Sequence, residues 1–297
     1  MLVDIDNLSK RFKEKRAVSN LSFTIHEGSC IALLGPNGAG KTTTLQMLAR
    51  ILTPDSGSIQ FRGYEPKDYR PLIGFLPQHP SFFNWMTAKE FLYFAGKLSS
   101  IPKALLQDRV EETLTFVSLE EAMNKKIGGF SGGMKQRLGL AQALIHKPKL
   151  LILDEPVSAL DPKGRRDFLK LIEELKKDMT VLFSTHILHD AQQICDEVLI
   201  LQDGCLKWQG SLPALRKEFD LLPIKVQTEE PMNGIIEQLE IIEAYEYIDP
   251  NTVKVSLPEH FHPNELLQEL IDRNQSVTHF EIMQDSLEDA YMKVVKQ

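Results

Sequence analysis

The sequence has no stretch approaching the ~18 consecutive apolar residues of a membrane-spanning helix, so the chain is not expected to cross a bilayer by itself. It is poor in cysteine. Cys30, Cys195 and Cys205 are odd in number and lack metal-ligand spacing, which gives neither a disulfide framework nor a thiolate metal site and points to reduced thiols in a cytoplasmic setting. Basic residues are in the minority, 34 Lys and Arg against 41 Asp and Glu, and a formal net charge of −7 offers no basic footprint for bulk nucleic-acid binding. No nucleic acid is therefore expected as a partner. The opening residues Met1 to Asp6 show no basic segment followed by a long apolar one, so no secretory leader is expected. What remains is ordinary for a globular protein, 42% hydrophobic and 25% charged, with 297 residues to make one large domain and a small one.

The densest signal is Gly35-Pro36-Asn37-Gly38-Ala39-Gly40-Lys41-Thr42-Thr43. It follows the continuous apolar run 30–34, which reads as a strand buried on both faces, and leads into residues 44–49, which have helical spacing. Strand, glycine loop and helix is the order of a phosphate-binding loop. Glycines allow the backbone to turn its N–H groups onto phosphate oxygens, and the helix N-terminus adds partial positive charge. In such a loop Lys41 reaches the β- and γ-phosphates and Thr42 offers its hydroxyl to Mg²⁺.

Upstream, residues 20–26 set Leu21, Phe23 and Ile25 on one face and Ser22, Thr24 and His26 on the other, a half-buried strand. Phe12 ends an earlier strand-like run and reads either as an aromatic that stacks on a purine or as a core residue. Downstream, a strand at 73–76 runs into Gln78 between two prolines, and an aromatic-rich stretch follows. Phe82, Phe83 and Trp85 precede the helix that starts near Thr87, and they divide evenly between core and apolar docking surface. A helix over 104–117 comes next. Phe130-Ser131-Gly132-Gly133-Met134 then opens another at 135–146, as an ordinary capped start or as a second anion site. Residues 150–153 read as a buried strand ending in Asp154 and Glu155, where the first carboxylate can hold Mg²⁺ and the second can align and deprotonate a water. Ser158 to Asp161 turn the chain into a helix over 163–176, a strand at 180–183 delivers Ser184-Thr185-His186, and 197–209 reads as a hairpin about Asp203-Gly204.

Taken together, Gly35–Thr43, Gln78, Phe130–Met134, Leu150–Glu155, Ser158–Asp161 and His186 resemble, in order and spacing, the nucleotide-binding domain of ATP-binding cassette (ABC) transporters. The resemblance implies an α/β fold: a P-loop NTPase cassette with a RecA-like core, an N-terminal β-subdomain and a helical subdomain at about 79–148, all within 1–215. It implies ATP and Mg²⁺ as cofactors, with Phe12 on the adenine and residues Gly35, Pro36, Asn37, Gly38, Ala39, Gly40, Lys41, Thr42 and Thr43 on the phosphates. Thr42, Gln78 and Asp154 match the metal positions, and Glu155, His186, Gln78 and Lys41 the catalytic ones. Ser131, Gly132, Gly133 and Asp161 match residues that complete the site of a second ATPase subunit, paired head to tail as a homodimer or heterodimer. The family's usual Leu-Ser-Gly-Gly-Gln has Phe130 and Met134 at its outer positions here. This form is similar to the exporter branch, in which a separate integral membrane permease anchors the ATPase at the cytoplasmic face. Two other readings, a soluble ABC ATPase acting on ribosomes or nucleic acid and a regulatory ATP-binding module, remain alongside it.

From about residue 222 the composition changes: 221–297 holds about fifteen acidic residues against about five basic ones. The expected order is strand 224–227, helix 233–239, strands 243–248 and 252–256, helix 264–273, strand 277–282 and helix 286–295. That is a small acidic α+β domain over 216–297, in the order of a split-βαβ, ferredoxin-like unit. Its expected role is support of the dimer or regulation. Glu259, His260 and His262 invite a metal reading without enough further ligands to complete it.

Overall fold

A computed structural model of the chain describes residues 1–13, 15–64, 68–218, 222–258, 261–282 and 291–294. The chain divides into two compact units, Met1–Leu212 and Pro213–Gln297.

The first unit opens with the antiparallel pair β1 (Val3–Phe12) and β2 (Lys15–Ile25). Leu21, Phe23 and Ile25 are buried, as their alternation requires. β2 begins five residues before the alternating stretch that marks it in the sequence, because pairing Phe12 with Lys15 and Arg11 with Arg16 satisfies that backbone whatever its side chains. Next comes β3 (Cys30–Leu34), buried throughout and leading into the loop that starts α1 (Lys41–Leu48). β4 (Ser56–Phe61) then pairs with the other edge of β1, making a three-stranded sheet. Ile31 and Leu33 share one hydrophobic core with that sheet and with Leu45, Met47 and Leu48 of α1.

β5 (Ile73–Leu76) is followed by a helical insertion: α2 (Ala88–Leu98), α3 (Lys103–Phe116) and α4 (Gly132–Leu144). Thr87 and Glu90 form a reciprocal capping box at the start of α2. Gly74 lets α4 lie directly on β5, since a Cβ there would stand 2.2 Å from the Ala143 carbonyl oxygen. The chain then returns through β6 (Leu150–Leu153), α5 (Pro162–Leu175), β7 (Thr180–Thr185), α6 (Leu188–Ile194), β8 (Glu197–Gln202) and β9 (Cys205–Ser211). The large sheet has the order β5-β6-β7-β3-β8-β9, with only β9 antiparallel. β3, β6 and β7 are therefore neighbours, and their C-terminal ends carry Gly35, Asp154 and His186. In an open parallel sheet this is where ligands bind.

The second unit contains α7 (Leu212–Glu218), which begins at the division, then β10 (Leu222–Thr228), β11 (Ala244–Asp249), β12 (Thr252–Leu257), α8 (Pro263–Asp272) and β13 (Val277–Ile282). Its antiparallel sheet has the order β11-β12-β10-β13, that of a split-βαβ unit. Residues 233–239, expected as a helix, form a single 3₁₀ turn at Ile236–Gln238. Gly234 adopts a left-handed φ of 82°, which interrupts helical hydrogen bonding, while Ile236 and Leu239 still reach the core. The helix expected at 286–295 lies largely outside the described residues, as do Glu259 and His260. His262 caps α8 by accepting from the Asn264 N–H at 3.2 Å.

The second unit has its own apolar core, with Leu266 and Leu270 of α8 fully buried on Val226, Val253 and Val255. Leu266→Ala is expected to destabilise this unit by about 2–5 kcal/mol. Calorimetry should show its transition lowered and that of the first unit unchanged; an equal shift of both would contradict separate cores.

Candidate active site

The phosphate loop is held close to its neighbours by absent side chains. Gly40 has φ 101°, a backbone that disfavours other residues, and a Cβ there would meet the Ala17 carbonyl oxygen at 2.5 Å. The Gly204 N–H donates to the Ala39 carbonyl at 3.0 Å and the Ser19 N–H to the Gly204 carbonyl at 2.8 Å, so the β8–β9 turn pins the loop against β2. Lys41 is only 5% exposed. Its Nζ donates to the carbonyls of Gly35 (2.8 Å) and Pro36 (3.2 Å) and stands 3.5 Å from Glu155 Oε1.

Asp154 is buried at the end of β6. Its Oδ1 accepts from Thr42 Oγ1 at 3.1 Å and from Ser184 Oγ at 2.8 Å. Burial pushes its carboxyl above the ordinary range, and these two hydroxyls and Lys41 only partly offset that. Glu155, the next residue, turns away because its φ is 43°, a left-handed value that costs a non-glycine residue on the order of 1–3 kcal/mol. Its N–H donates to Ser184 Oγ at 2.9 Å. Its carboxylate accepts from Gln78 Nε2 at 3.1 Å and lies 3.4 Å from His186 Nδ1. Three segments far apart in sequence, carrying Lys41 and Thr42, Gln78, and Ser184 and His186, thus meet at two adjacent carboxylates.

A cleft of about 500 Å³ opens over this cluster, lined by Asn37, Gly38, Gly40, Lys41, Thr42, Thr43, Gln78 and Glu155, with Lys15 and Ala17 of β2. Phe12 is 47% exposed at the tip of the β1–β2 hairpin, across from Lys15, with the Lys10 ammonium 5.8 Å from its ring centre. The core alternative for Phe12 is thereby removed. Ser131, Gly132, Gly133 and Asp161 do not line this cleft. Ser131 caps α4 by accepting from the Met134 N–H at 3.2 Å, and Asp161 caps α5 by accepting from the Gly164 N–H at 3.2 Å.

The sequence reading assigned no role to Ser184, Lys15 or Ala17. Ser184 had a signal: it lies near the C-terminal end of the buried strand β7, two positions before His186. Lys15 and Ala17 had none, since only the packing of β2 on the loop brings them to the cleft.

The aromatics ahead of α2 divide. Phe82 is half-buried and meets Phe91 edge-on at 5.0 Å, whereas Phe83 and Trp85 are 48% and 70% exposed. Phe83, Phe94 and Leu98 line a groove of about 400 Å³ together with Phe75, Phe91 and His146. Burial lowers the pKa of His146, whose Nε2 lies 3.0 Å from the Ile73 carbonyl.

A family profile described as ABC transporter matches residues 18–158, and one described as ATP-binding protein DrrA1-3-like, C-terminal domain, matches residues 210–295. The ABC transporter ATP-binding protein YxlF of Bacillus subtilis (strain 168) is 51% identical over 294 residues, 99% of each chain. The Nod factor export ATP-binding protein I of Burkholderia lata is 38% identical over 219 residues, 72% of each chain. Among solved structures, a dimeric ATP-binding cassette in a post-hydrolysis state with ADP and Pi superposes with a TM-score of 0.64 at 26% identity, covering 71% of this chain and 98% of that one.

Because the folded chain holds the Asp154 proton more tightly than the unfolded chain does, ionising this residue costs stability as pH rises from the ordinary carboxylate range through the raised value. Asp154→Asn removes that cost and keeps an acceptor for Thr42 and Ser184. Without nucleotide, the variant is expected to melt above the wild type at neutral pH, with the gap closing toward acid. Melting curves across pH check this, and a gap that widened toward acid would contradict it.

Proposed function

The chain belongs to the ABC transporter ATP-binding family, and we propose that it is the ATP-hydrolysing motor subunit of an export system, driving a separately encoded membrane permease. The observation that carries this is the meeting of Lys41, Gln78 and His186 on the carboxylate of Glu155 beside the phosphate loop. Phosphate binding turns Lys41 from the loop carbonyls to the β- and γ-phosphate oxygens, and the helix α1 N-terminus and loop N–H groups add to the attraction. Release of the Lys41 contact leaves Glu155 free to accept the proton of a water aligned by Gln78. That water's oxygen attacks the γ-phosphorus as the bond to the ADP oxygen breaks, giving ADP and phosphate. His186, beside the same carboxylate, donates to the γ-phosphate. Phe12, exposed near the mouth of the cleft, stacks on the adenine.

Thr42, Gln78 and Asp154 offer hard oxygen donors, and Thr42 and Asp154 already share a hydrogen bond. Among the described residues no three His, Cys, Asp or Glu side chains converge on one point. That set suits Mg²⁺, which takes one or two protein oxygens and completes its shell with phosphate and water, and does not suit zinc. When bound, the ion neutralises charge on the phosphates.

Ser131, Gly132, Gly133 and Asp161 lie outside the cleft of their own chain, which supports a head-to-tail pair in which each α4 N-terminus closes the partner's ATP site. Closure excludes water and strengthens each of these contacts. The exposed Phe83, Trp85, Phe94 and Leu98 form an apolar surface suited to a short helix of the permease. No helix among the described residues is long and apolar enough to cross a membrane, so attachment to the cytoplasmic face comes through that partner. The export relative supports the direction of transport.

Glu155→Gln is expected to lower ATP turnover by at least ~10²-fold while ATP binding persists. With ATP present, this variant should pull a multi-span protein from mild-detergent membrane extract, and adding Trp85→Glu should release it. Wild-type turnover in Glu155→Gln would remove the base assignment. Recovery of only ribosomes or nucleic acid would overturn the transport reading.

A further inference from the structure

Arg165 and Asp190 form an ion pair that the hydrolytic scheme above does not use. Asp190 is fully buried in α6. A carboxylate so placed needs a charged partner, and Arg165, in the first turn of α5, supplies one: Nε and Nη2 both donate to Oδ1, at 2.8 and 2.5 Å. The other carboxylate oxygen, Oδ2, lies 3.4 Å from Thr185 Oγ1. That hydroxyl accepts from the Ile187 N–H at 3.0 Å, so it bridges the backbone on either side of His186. The Asp190 N–H closes the same turn on the Ile187 carbonyl at 3.2 Å. At the other end, the Arg165 N–H donates to the carbonyl of Asp161 at 2.9 Å. A continuous path therefore runs from the Asp161 turn through Arg165, Asp190 and Thr185 to the turn that carries His186.

We propose that the Arg165–Asp190 pair is a positioning strut, which fixes the His186 turn against the first turn of α5 and so sets where the His186 ring stands relative to Glu155. The ring is 41% exposed, so its aim depends on the backbone that carries it. A pair of apolar side chains would fill the same space without this direction. The guanidinium fork commits one carboxylate oxygen to α5 and leaves the other facing Thr185. Through the strut, a displacement of the Asp161 turn is passed to His186. Arg165 and Asp190 are not among the residues that line the cleft, so their effect is on turnover and not on nucleotide affinity.

This inference rests on the ATPase reading. The test compares Arg165→Met, Asp190→Asn, the double variant and Arg165→Lys with the wild-type chain, each also in a His186→Ala background. Readouts are ATP affinity, single-turnover hydrolysis and melting temperature. Phe168→Leu, a core change in α5, serves as a control for destabilisation alone. The expected result is a loss of about 10–100-fold in the hydrolysis rate for each single variant, with ATP affinity within about twofold of wild type. The double variant should be no slower than the singles, Arg165→Lys should recover part of the rate, and none of these changes should slow the His186→Ala chain further. Wild-type rates in the variants would overturn the strut. So would losses that match Phe168→Leu at equal melting temperature, or an undiminished further loss in the His186→Ala background. Absence of hydrolysis by the wild-type chain would instead remove the ATPase reading beneath it.

Discussion

The first unit is arranged around a carboxylate held out of water. Asp154 ends a strand buried on both faces, and burial alone would drive its carboxyl toward the neutral form. Thr42 and Ser184 share one of its oxygens, which ties the start of α1 and the end of β7 to the end of β6. Those hydrogen bonds only partly offset desolvation. Ionising this buried carboxyl therefore costs the folded state stability.

Two adjacent carboxylates would repel if they pointed the same way. The left-handed backbone at Glu155 separates them, sending Asp154 to the hydroxyls and Glu155 to Gln78, His186 and Lys41. Ser184 serves both, donating its hydroxyl proton to Asp154 and accepting from the Glu155 N–H. A single hydroxyl thus fixes the relative placement of the two carboxylates. The local strain at Glu155 persists because β6, β7 and the loop around Gln78 over-determine it.

The same economy extends to His186. Its ring meets Glu155 from an exposed turn, and the contacts that set this turn come from behind it, through Thr185, Asp190 and Arg165. Helix α5 carries Asp161 as its cap and Arg165 one turn later, so one rigid element joins a surface loop to the interior of the site. The apolar groove beside α2 stands on the same scaffold, since Gly74 brings α4 onto β5, which leads to Gln78.

Local sequence determined the elements. The loop at 35–43, the buried run at 150–153, the alternation at 20–26, the helix start near Thr87 and the cap at Ser131 are short-range patterns, and short-range sterics and hydrogen bonding suffice to read them. Tertiary structure decided what those elements do together. Thr42 and Asp154 are separated by 112 residues and Gln78 and Glu155 by 77, and only the order of strands in the sheet brings them into contact. Packing across the fold placed Lys15 at the cleft, left Phe83 and Trp85 exposed while taking Phe82 partly inward, and kept Ser131 and Asp161 out of the cleft of their own chain. In the second unit an apolar helical pattern forms a single turn, after the left-handed Gly234. The physical reason is common to all of these: periodicity specifies which face of an element is buried, but its partner is chosen by packing across the whole fold.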